Sequence, residues 1–327
     1  MAALVGPEKL EALPGMPPSR WVTLEGDGGA TGRDVDRRTH YVDFGGPETS
    51  DDTGAPVIVL VHGLGGSTVD WAALAPRLAP VAHVLAFDFA GHGRTPGAGR
   101  PADVESHRAH LAAFLRHFAG GPAILVGNSM GGVISLLQAA KDPTSVRGLV
   151  LIDPALPVPR NQVPDPLVAG AFASYLLPLL AGPLLALRRR RVAPAHMVSQ
   201  ALALTTAHPE RIPAPIVAAY VAQNIERRGR DDVDGPFLAS ARSLLALIVA
   251  RPAPLRRAIA AVTAPTLLLH GERDRLVPVR AARLAQADRP DWSLVIHPDA
   301  GHVPQLEDAD WVSGEILAWL PADPSGT

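Results

Sequence analysis

One serine of the chain lies in a setting that favours nucleophilic catalysis. Residues 127–131 read Gly-Asn-Ser-Met-Gly and fit the pattern G-x-S-x-G. An apolar run typical of a buried strand precedes them and a helical run follows, so Ser129 is predicted on a sharp strand-to-helix turn. Such a turn lifts the hydroxyl out of the sheet and points the free N–H groups of the helix at the reaction centre. A serine that merely caps the helix is the alternative interpretation.

Strands and helices alternate on both sides of this serine, as apolar β-branched runs followed by segments of helical spacing indicate. The predicted strands are Arg20–Leu24, Thr39–Phe44, Val57–Val61, Val81–Phe87, Ala123–Val126, Val146–Ile152, Thr266–His270 and Leu294–His297. The predicted helices are Asp70–Leu78, Asp103–Phe118, Met130–Ala140, Val279–Ala287 and Trp311–Leu320. We expect an α/β fold whose central sheet is mostly parallel, with helices on both faces and an antiparallel edge hairpin made by the first two strands. Loops at the carboxyl ends of the parallel strands would carry the chemistry.

Three further loops resemble those of the α/β-hydrolase superfamily. His62-Gly63-Leu64-Gly65 follows the strand Val57–Val61 and resembles the H-G-x-G loop of that family. Residues 271–278, Gly-Glu-Arg-Asp-Arg-Leu-Val-Pro, resemble its acid loop, and residues 299–302, Asp-Ala-Gly-His, resemble its histidine loop. With the serine turn, these motifs keep the family order and cover about residues 38–155 and 263–320. The resemblance implies the α/β-hydrolase fold with an inserted helical lid.

The resemblance also implies a Ser-His-Asp triad of Ser129, His302 and Asp274. Ser129 would attack an acyl carbonyl, and His302 would take its proton and later deliver it to the leaving group. Asp274 would orient His302 and stabilise its charged form. The backbone N–H groups of Leu64 and Met130 would form the oxyanion hole. This chemistry uses no cofactor and no metal.

Other polar residues compete for these roles or support them. Asp153 ends the strand after Ser129, where some relatives carry the acid, and is the alternative triad acid. Asp88 is predicted to brace its loop through hydrogen bonds to backbone. Glu272 is predicted to be exposed, and His62 is predicted to brace the H-G-x-G loop.

About 110 residues between Asp153 and Thr263 show no strand alternation and are predicted as helices broken by prolines. We therefore predict a core of residues 1–153 and 263–327, with 1–18 as a loose arm and 321–327 as a frayed tail, and a cap of residues 154–262. Within the cap, Leu167–Leu187 carries no charge and is followed by four arginines, 188–191. Its length suits a transmembrane helix, but Pro178 and the Gly182-Pro183 pair would break one. We expect a lid with an apolar inner surface, and docking on a lipid surface is the alternative.

Composition narrows the function further. The 327 residues include 30 basic and 32 acidic side chains and no cysteine. The nearly equal numbers of basic and acidic side chains argue against nucleic-acid binding, and the absence of a thiol excludes cysteine chemistry. No signal-peptide core is visible near residue 1, so a cytoplasmic location is expected. The oligomeric state is not indicated.

These observations predict a serine hydrolase that cleaves carboxylic esters through an acyl-enzyme. Its substrate would be a small apolar ester, bound in an acyl or alcohol pocket under the lid. The Ser-Met-Gly-Gly run and Asn128 also resemble C–C bond hydrolases of ring-cleavage products, which leaves that activity as an alternative. A binding protein that kept the scaffold and lost turnover is the alternative outside the enzymes.

Overall fold

A computed structural model describes residues 16–26, 35–47, 55–157 and 165–320. Most of the predicted amino-terminal arm and the whole predicted frayed tail lie outside these ranges. The sheet of the described residues has eight strands: β1 Ser19–Thr23, β2 Arg38–Asp43, β3 Val57–Val61, β4 His83–Phe87, β5 Ala123–Asn128, β6 Val146–Ile152, β7 Thr266–Gly271 and β8 Ser293–His297. Their order is β1-β2-β4-β3-β5-β6-β7-β8. The pairs β1–β2 and β2–β4 are antiparallel and every other neighbouring pair is parallel, so the predicted sheet and its edge hairpin are confirmed.

Helices cover both faces of this sheet. They are α1 Ala75–Leu78, α2 Val104–Phe118, α3 Met130–Lys141, α4 Pro166–Tyr175, α5 Ala181–Arg191, α6 Pro194–Thr205, α7 Ala214–Arg227, α8 Asp234–Leu245, α9 Ala253–Ala261, α10 Val279–Asp288, α11 Pro304–Glu307 and α12 Ala309–Trp319. Short 3₁₀ turns occupy Thr68–Trp71, Pro143–Ser145 and Pro209–Arg211, and a π-helical turn, Ala246–Ala250, extends α8. Between β6 and β7 the described residues form helices α4 to α9 with their connecting turns and no strand.

Successive side chains of the buried strands point to opposite faces of the sheet and so form two apolar cores. In β3, Val59 and Val61 join a cluster that includes Phe114 of α2 and Val133 of α3. Ile58 and Leu60 point the other way, into a cluster with Trp71, Leu74 and Val312 of α12. Since successive side chains of a strand face opposite sides, an apolar run is buried on both faces. Side chains pack on both faces of the parallel strands, and the carboxyl ends of these strands present the candidate site.

The predicted helix Asp70–Leu78 is wrong, because the structure has two short pieces there. Ser67 caps the 3₁₀ turn Thr68–Trp71, accepting from the N–H of Val69, and the Asp70 side chain accepts from the N–H of Ser67. Pro76 then lies in the first turn of α1. A proline inside a continuous helix would lack its N–H donor and clash with the preceding turn, so the segment restarts at Ala75.

The uncharged segment Leu167–Leu187 is likewise divided. Helix α4 ends at Tyr175 and α5 begins at Ala181, with Pro178 in the break. Gly182 and Pro183, which were expected to interrupt the helix, lie in the first turn of α5, where proline is tolerated. In the described part of the chain no single helix has the length and apolar content to cross a membrane. The helical segments 234–250 and 253–261 have them only when taken together, and they meet at a bend of 83°.

A third apolar cluster docks the inserted helices on the core. It joins Val198 and Leu202 of α6 and Ile216 of α7 to Val303 and Leu306 of the segment after β8. Polar contacts reinforce the junction, among them the Tyr220 hydroxyl, which donates to Oδ1 of Asp70 at 2.9 Å. The inserted helices α6 and α7 therefore rest on the same segments of the core that surround the candidate site.

Candidate active site

Ser129 occupies a strained turn between β5 and α3. Its φ of 54° and ψ of −117° place a non-glycine residue at positive φ, and its residue exposure is 9%. The neighbouring chain passes so close that a Cβ at Gly131 would lie 2.0 Å from the carbonyl oxygen of Val61. Only glycine fits there, which gives the second glycine of the G-x-S-x-G pattern its physical reason. The predicted strand-to-helix turn is thus present.

The H-G-x-G loop packs directly against this turn. A Cβ at Gly63 would lie 3.2 Å from Cβ of Ser129. No hydrogen bond within the described ranges uses the backbone N–H of Leu64 or that of Met130. His62 accepts from the N–H of Phe89 at 3.1 Å through Nε2, so its Nδ1 carries the proton and donates to the carbonyl of Gly63 at 2.8 Å. These two bonds confirm that His62 braces the loop.

Asp274 and His302 come together at the carboxyl ends of β7 and β8. Nδ1 of His302 donates to Oδ2 of Asp274 at 2.7 Å, and Oδ1 accepts from the N–H groups of Leu276 and Val277 at 2.7 and 3.0 Å. Burial alone would raise the pKa of Asp274, but the attraction of His302 and these donors outweighs it, so the pKa is lowered. Asp274 is therefore ionised, and because it binds Nδ1 of His302, Nε2 of that ring remains available.

Asp153, the alternative acid, lies beside Asp274 in a different environment. Its side chain is fully buried, Oδ1 accepts from the N–H of Gly271 at 2.9 Å, and Oδ2 has no partner among the described residues. Burial, and then the charge of Asp274, raise the pKa of Asp153 well above its usual range. A neutral carboxyl cannot stabilise a charged imidazole, and within the described contacts it is Asp274, not Asp153, that hydrogen-bonds His302.

His270 and Asp274, which could bind a metal ion beside Asp153, already take part in hydrogen bonds. Ligand atoms of Asp153, His270 and Asp274 lie within 4.8 Å of one another. However, Nε2 of His270 donates to the carbonyl of Val277 at 2.9 Å, and Oδ2 of Asp274 already accepts from His302. Burial lowers the pKa of His270, which keeps the ring neutral. A cation bound by Nε2 of His270 would have to replace the proton that this atom donates to Val277.

The other competing acids have structural roles. Oδ1 of Asp88 accepts from the N–H of Thr68 at 2.7 Å, and Oδ2 accepts from the N–H of Arg94 at 2.8 Å and from Nδ1 of His40 at 2.7 Å. Burial opposes ionisation, yet the adjacent His40 and these donors lower the pKa of Asp88 to about 2. The predicted bracing of its loop is confirmed. Glu272 is exposed, as predicted, and pairs with Arg283.

Two residues to which sequence reasoning gave no positioning role hold the histidine loop. Glu307 accepts from the N–H of Gly301 at 2.8 Å through Oε1, and from the N–H groups of Ala207 and His208 at 2.9 Å through Oε2. It therefore ties the loop of His302 to the inserted helices. Nδ2 of Asn128 donates to the carbonyls of Ile152 and His302 at 3.1 and 3.0 Å. No local sequence pattern marks these contacts, because most of them join residues that are 24 to 174 positions apart.

The structure does not complete every predicted contact. Among the described residues there is no hydrogen bond between Oγ of Ser129 and His302. Such a bond is often long in a free enzyme and tightens in the substrate complex.

An open apolar groove of about 590 Å³ follows α7, lined by residues that include Ile212, Val217 and Val221. None of the three triad candidates lines this groove.

Comparison with known proteins places these features in a family. The family model described as alpha/beta hydrolase fold matches residues 56–309. The chain is 29% identical over 275 residues to the dihydrolipoyllysine-residue acetyltransferase component of the acetoin cleaving system of Pseudomonas putida, covering 84% of this chain and 65% of that relative. It thus spans less than two thirds of that relative's length.

Two other similarities extend over nearly the whole partner protein. A pimeloyl-[acyl-carrier protein] methyl ester esterase of Xanthomonas campestris is 29% identical over 271 residues, which are 82% of this chain and 96% of the esterase. The crystal structure of a membrane phospholipase A, a bacterial virulence factor, superposes with a TM-score of 0.66 at 26% identity, covering 94% of this chain and 86% of that one.

Proposed function

The chain belongs to the α/β-hydrolase family, and from that premise we propose that it is a serine hydrolase that cleaves carboxylic esters through an acyl-enzyme. The observation that carries the proposal is a strained serine turn whose neighbour Asn128 donates to the backbone carbonyl of His302, together with a buried Asp274–His302 pair and two backbone N–H groups that no described hydrogen bond engages. Ser129, His302 and Asp274 are the proposed triad, and Leu64 and Met130 supply the proposed oxyanion hole. Esterase and phospholipase activity among the similar proteins supports this reaction class.

The proposed reaction has two halves. Oγ of Ser129 attacks the ester carbonyl carbon while Nε2 of His302 takes the hydroxyl proton, and the carbonyl oxygen becomes an oxyanion facing the N–H groups of Leu64 and Met130. Collapse of this intermediate breaks the bond to the alkoxide, which leaves with the proton from His302. A water molecule, deprotonated by His302, then cleaves the acyl-enzyme and releases the acid and free Ser129. Asp274 remains ionised throughout and stabilises the imidazolium.

We propose that α4 to α9 form a cap over this site, with the boundaries at about 154 and 262 that the sequence suggests. The contacts of His302 support the assignment, since its backbone N–H donates to the carbonyl of Thr205 at the end of α6 at 2.8 Å. A substrate reaching His302 would therefore meet inserted helices on one side. The acyl or alcohol pocket is proposed between these helices and the serine turn.

Ester cleavage is preferred to C–C bond hydrolysis because of Asn128. The sequence made this side chain one of two features shared with C–C hydrolases. In the structure its amide donates to two backbone carbonyls and serves the architecture of the site, which leaves no donor for a substrate. The joined Asp274–His302 pair argues against a binding protein without turnover.

Hydrolysis of p-nitrophenyl acetate and of medium-chain p-nitrophenyl esters tests the proposal. Ser129→Ala is expected to lower kcat/KM by about 10⁴-fold or more. Ser199→Ala, at an exposed serine of α6, is the matched control and should behave as the wild type. A ring-fission dienone, used in place of the ester, separates the two reaction classes. Ester turnover that survives Ser129→Ala, or turnover of the dienone alone, would refute the proposal.

A further inference from the structure

The cap exposes an unusual number of leucines. Among the described residues, twelve large apolar side chains are exposed, and seven of them belong to the uncharged segment predicted to line a pocket: Leu167, Leu176, Leu177, Leu179, Leu180, Leu184 and Leu187. Leu179 is 92% exposed. Contiguous apolar surface of this kind marks an interaction site. We name residues 176–180, between α4 and α5, the leucine corner.

The fold presents the leucine corner instead of burying it. Leu179 has a φ of 62°, a left-handed conformation that is a genuine outlier for a bulky residue. Nε of Arg242 donates to the carbonyl of Tyr175 at 2.8 Å, which fixes the end of α4 to α8. Strain persists only where the surroundings enforce it, and it clusters where function requires it.

Positive charge lies next to the leucine corner. No acidic residue occurs from 166 to 191, and α5 ends in four arginines. Two of the four have carboxylate partners, Arg189 with Asp234 and Arg190 with Asp231. Arg188, in contrast, donates to the neutral amide of Gln200, and Arg242 donates to backbone carbonyls. Arg242 reaches the carbonyl of Leu177 in the corner, and Arg188 lies in the last turn of the helix that follows it. Exposed leucines with such cations nearby complement a surface that is apolar inside and anionic at its boundary.

A short aromatic chain connects the leucine corner to the candidate site. Tyr175 precedes the corner and packs edge-on against Phe237 of α8, with ring centroids 5.2 Å apart. A Cβ at Gly65 of the H-G-x-G loop would lie 3.2 Å from the Phe237 ring. Two rings therefore separate the exposed leucines from the loop that contains the proposed oxyanion donor Leu64.

We propose that the leucine corner docks on an anionic phospholipid bilayer, with its leucines in the acyl-chain boundary and Arg188 and Arg242 at the phosphates. The inference deepens the proposed function, because docking there would hold the site beside a lipid phase from which apolar esters enter. The described helices need not cross the bilayer, since a corner between two helices reaches only its boundary.

Vesicle sedimentation tests the proposal with the full chain. Vesicles of phosphatidylcholine with phosphatidylglycerol should bind the wild type about tenfold or more tightly than phosphatidylcholine alone, and added salt should weaken binding. The double variant Leu179→Ser/Leu180→Ser should lose about tenfold or more of this affinity. Leu284→Ser, at a leucine of α10 that is 44% exposed, is the matched control and should bind as the wild type.

Two further measurements make the result decisive. All three proteins should hydrolyse p-nitrophenyl acetate at the same rate, and an inactive but vesicle-binding wild type would refute the proposed function alone. Failure of the wild type to bind either vesicle, or equal binding by the double variant, would overturn the docking proposal. So would light scattering that shows a wild-type dimer dissociated by the two serines, because the corner would then contact a second copy of the chain.

Discussion

Carboxylate oxygens of Asp153 and Asp274 lie within 4.8 Å of each other in a part of the protein where both side chains are inaccessible to solvent. Two negative charges this close cannot both persist without water. Asp274 receives the donors, from His302 and two backbone N–H groups, and its pKa falls, while that of Asp153 rises well above its usual range. One carboxyl is thus ionised and its neighbour neutral.

Asp153→Asn should stabilise the protein more at pH 7 than at pH 4. Folding raises the pKa of Asp153. Its contribution to the free energy of unfolding is therefore complete below the pKa of the unfolded chain, about 3.9, and is lost as pH rises toward the pKa of the folded protein. Asparagine mimics the neutral acid without this loss. Thermal unfolding of both proteins at the two pH values measures the difference. A destabilisation of equal size at both would mean that Asp153 is ionised in the native state.

Gly131→Ala should destabilise the fold and lower the proposed esterase activity. The new Cβ would press on the carbonyl oxygen of Val61, 2.0 Å away, so β3 or the serine turn must shift. Overpacking of this kind costs about 1–3 kcal/mol. Urea unfolding gives the free energy of unfolding for the variant and for Gly314→Ala. At Gly314, inside α12, an added Cβ would meet nothing within 4 Å among the described residues, so its alanine should stabilise by about 0.5–1 kcal/mol. Equal effects of the two substitutions would contradict the packing described for the turn.

Tyr220→Phe should loosen the contact between α7 and the 3₁₀ turn Thr68–Trp71. The lost bond joins the Tyr220 hydroxyl of α7 to Asp70, whose pKa burial raises to about 7. Loss of such a bond costs about 1–2 kcal/mol, so amides of α7 should exchange hydrogen about 5- to 30-fold faster. Tyr175→Phe is the control, because the Tyr175 hydroxyl has no hydrogen bond within the described ranges. Unchanged exchange in the Tyr220 variant would show that apolar packing alone holds α7.

Acid should weaken the fold through buried histidines. Burial lowers the pKa of His92, His107 and His110 well below the usual value, so they stay neutral in the native state. The unfolded chain takes up protons as pH falls below about 6.5, and stability present above that value is then lost, by about 1.4 kcal/mol per pH unit for each group.

Urea unfolding at pH 7.5, 6.5 and 5.5 measures this loss. His107→Gln should reduce it by about 1 kcal/mol between the last two pH values, and His117→Gln, at a position outside the buried cluster, should leave it as in the wild type. An equal loss in the His107 variant and the wild type would mean that His107 is not a neutral group that resists protonation.

Local patterns predicted most of the core. The run Val146–Ile152 forms β6 with the predicted bounds, because most of its apolar side chains are buried on both faces of the sheet. The pairing of Asp274 with His302 followed from family resemblance, not from spacing, since 28 residues separate them.

Long-range contacts were beyond prediction. The neutral state of Asp153 depends on Asp274, and the role of Glu307 depends on N–H groups of Ala207 and His208, none of which is a neighbour in the sequence. The apolar content of Leu167–Leu187 predicted an inner lining, whereas the structure exposes seven of its leucines. Composition reports that a segment is apolar and does not report which surface it covers.

Covalent labelling with a fluorophosphonate, followed by peptide mass spectrometry, tests whether Ser129 is an activated nucleophile. The wild type should carry one phosphonyl group on the peptide that contains Ser129, and Ser129→Ala should carry none. His302→Ala should react far more slowly, because the hydroxyl would lack its base. An unlabelled wild type, or a label on another residue that persists in Ser129→Ala, would show that Ser129 is not the nucleophile.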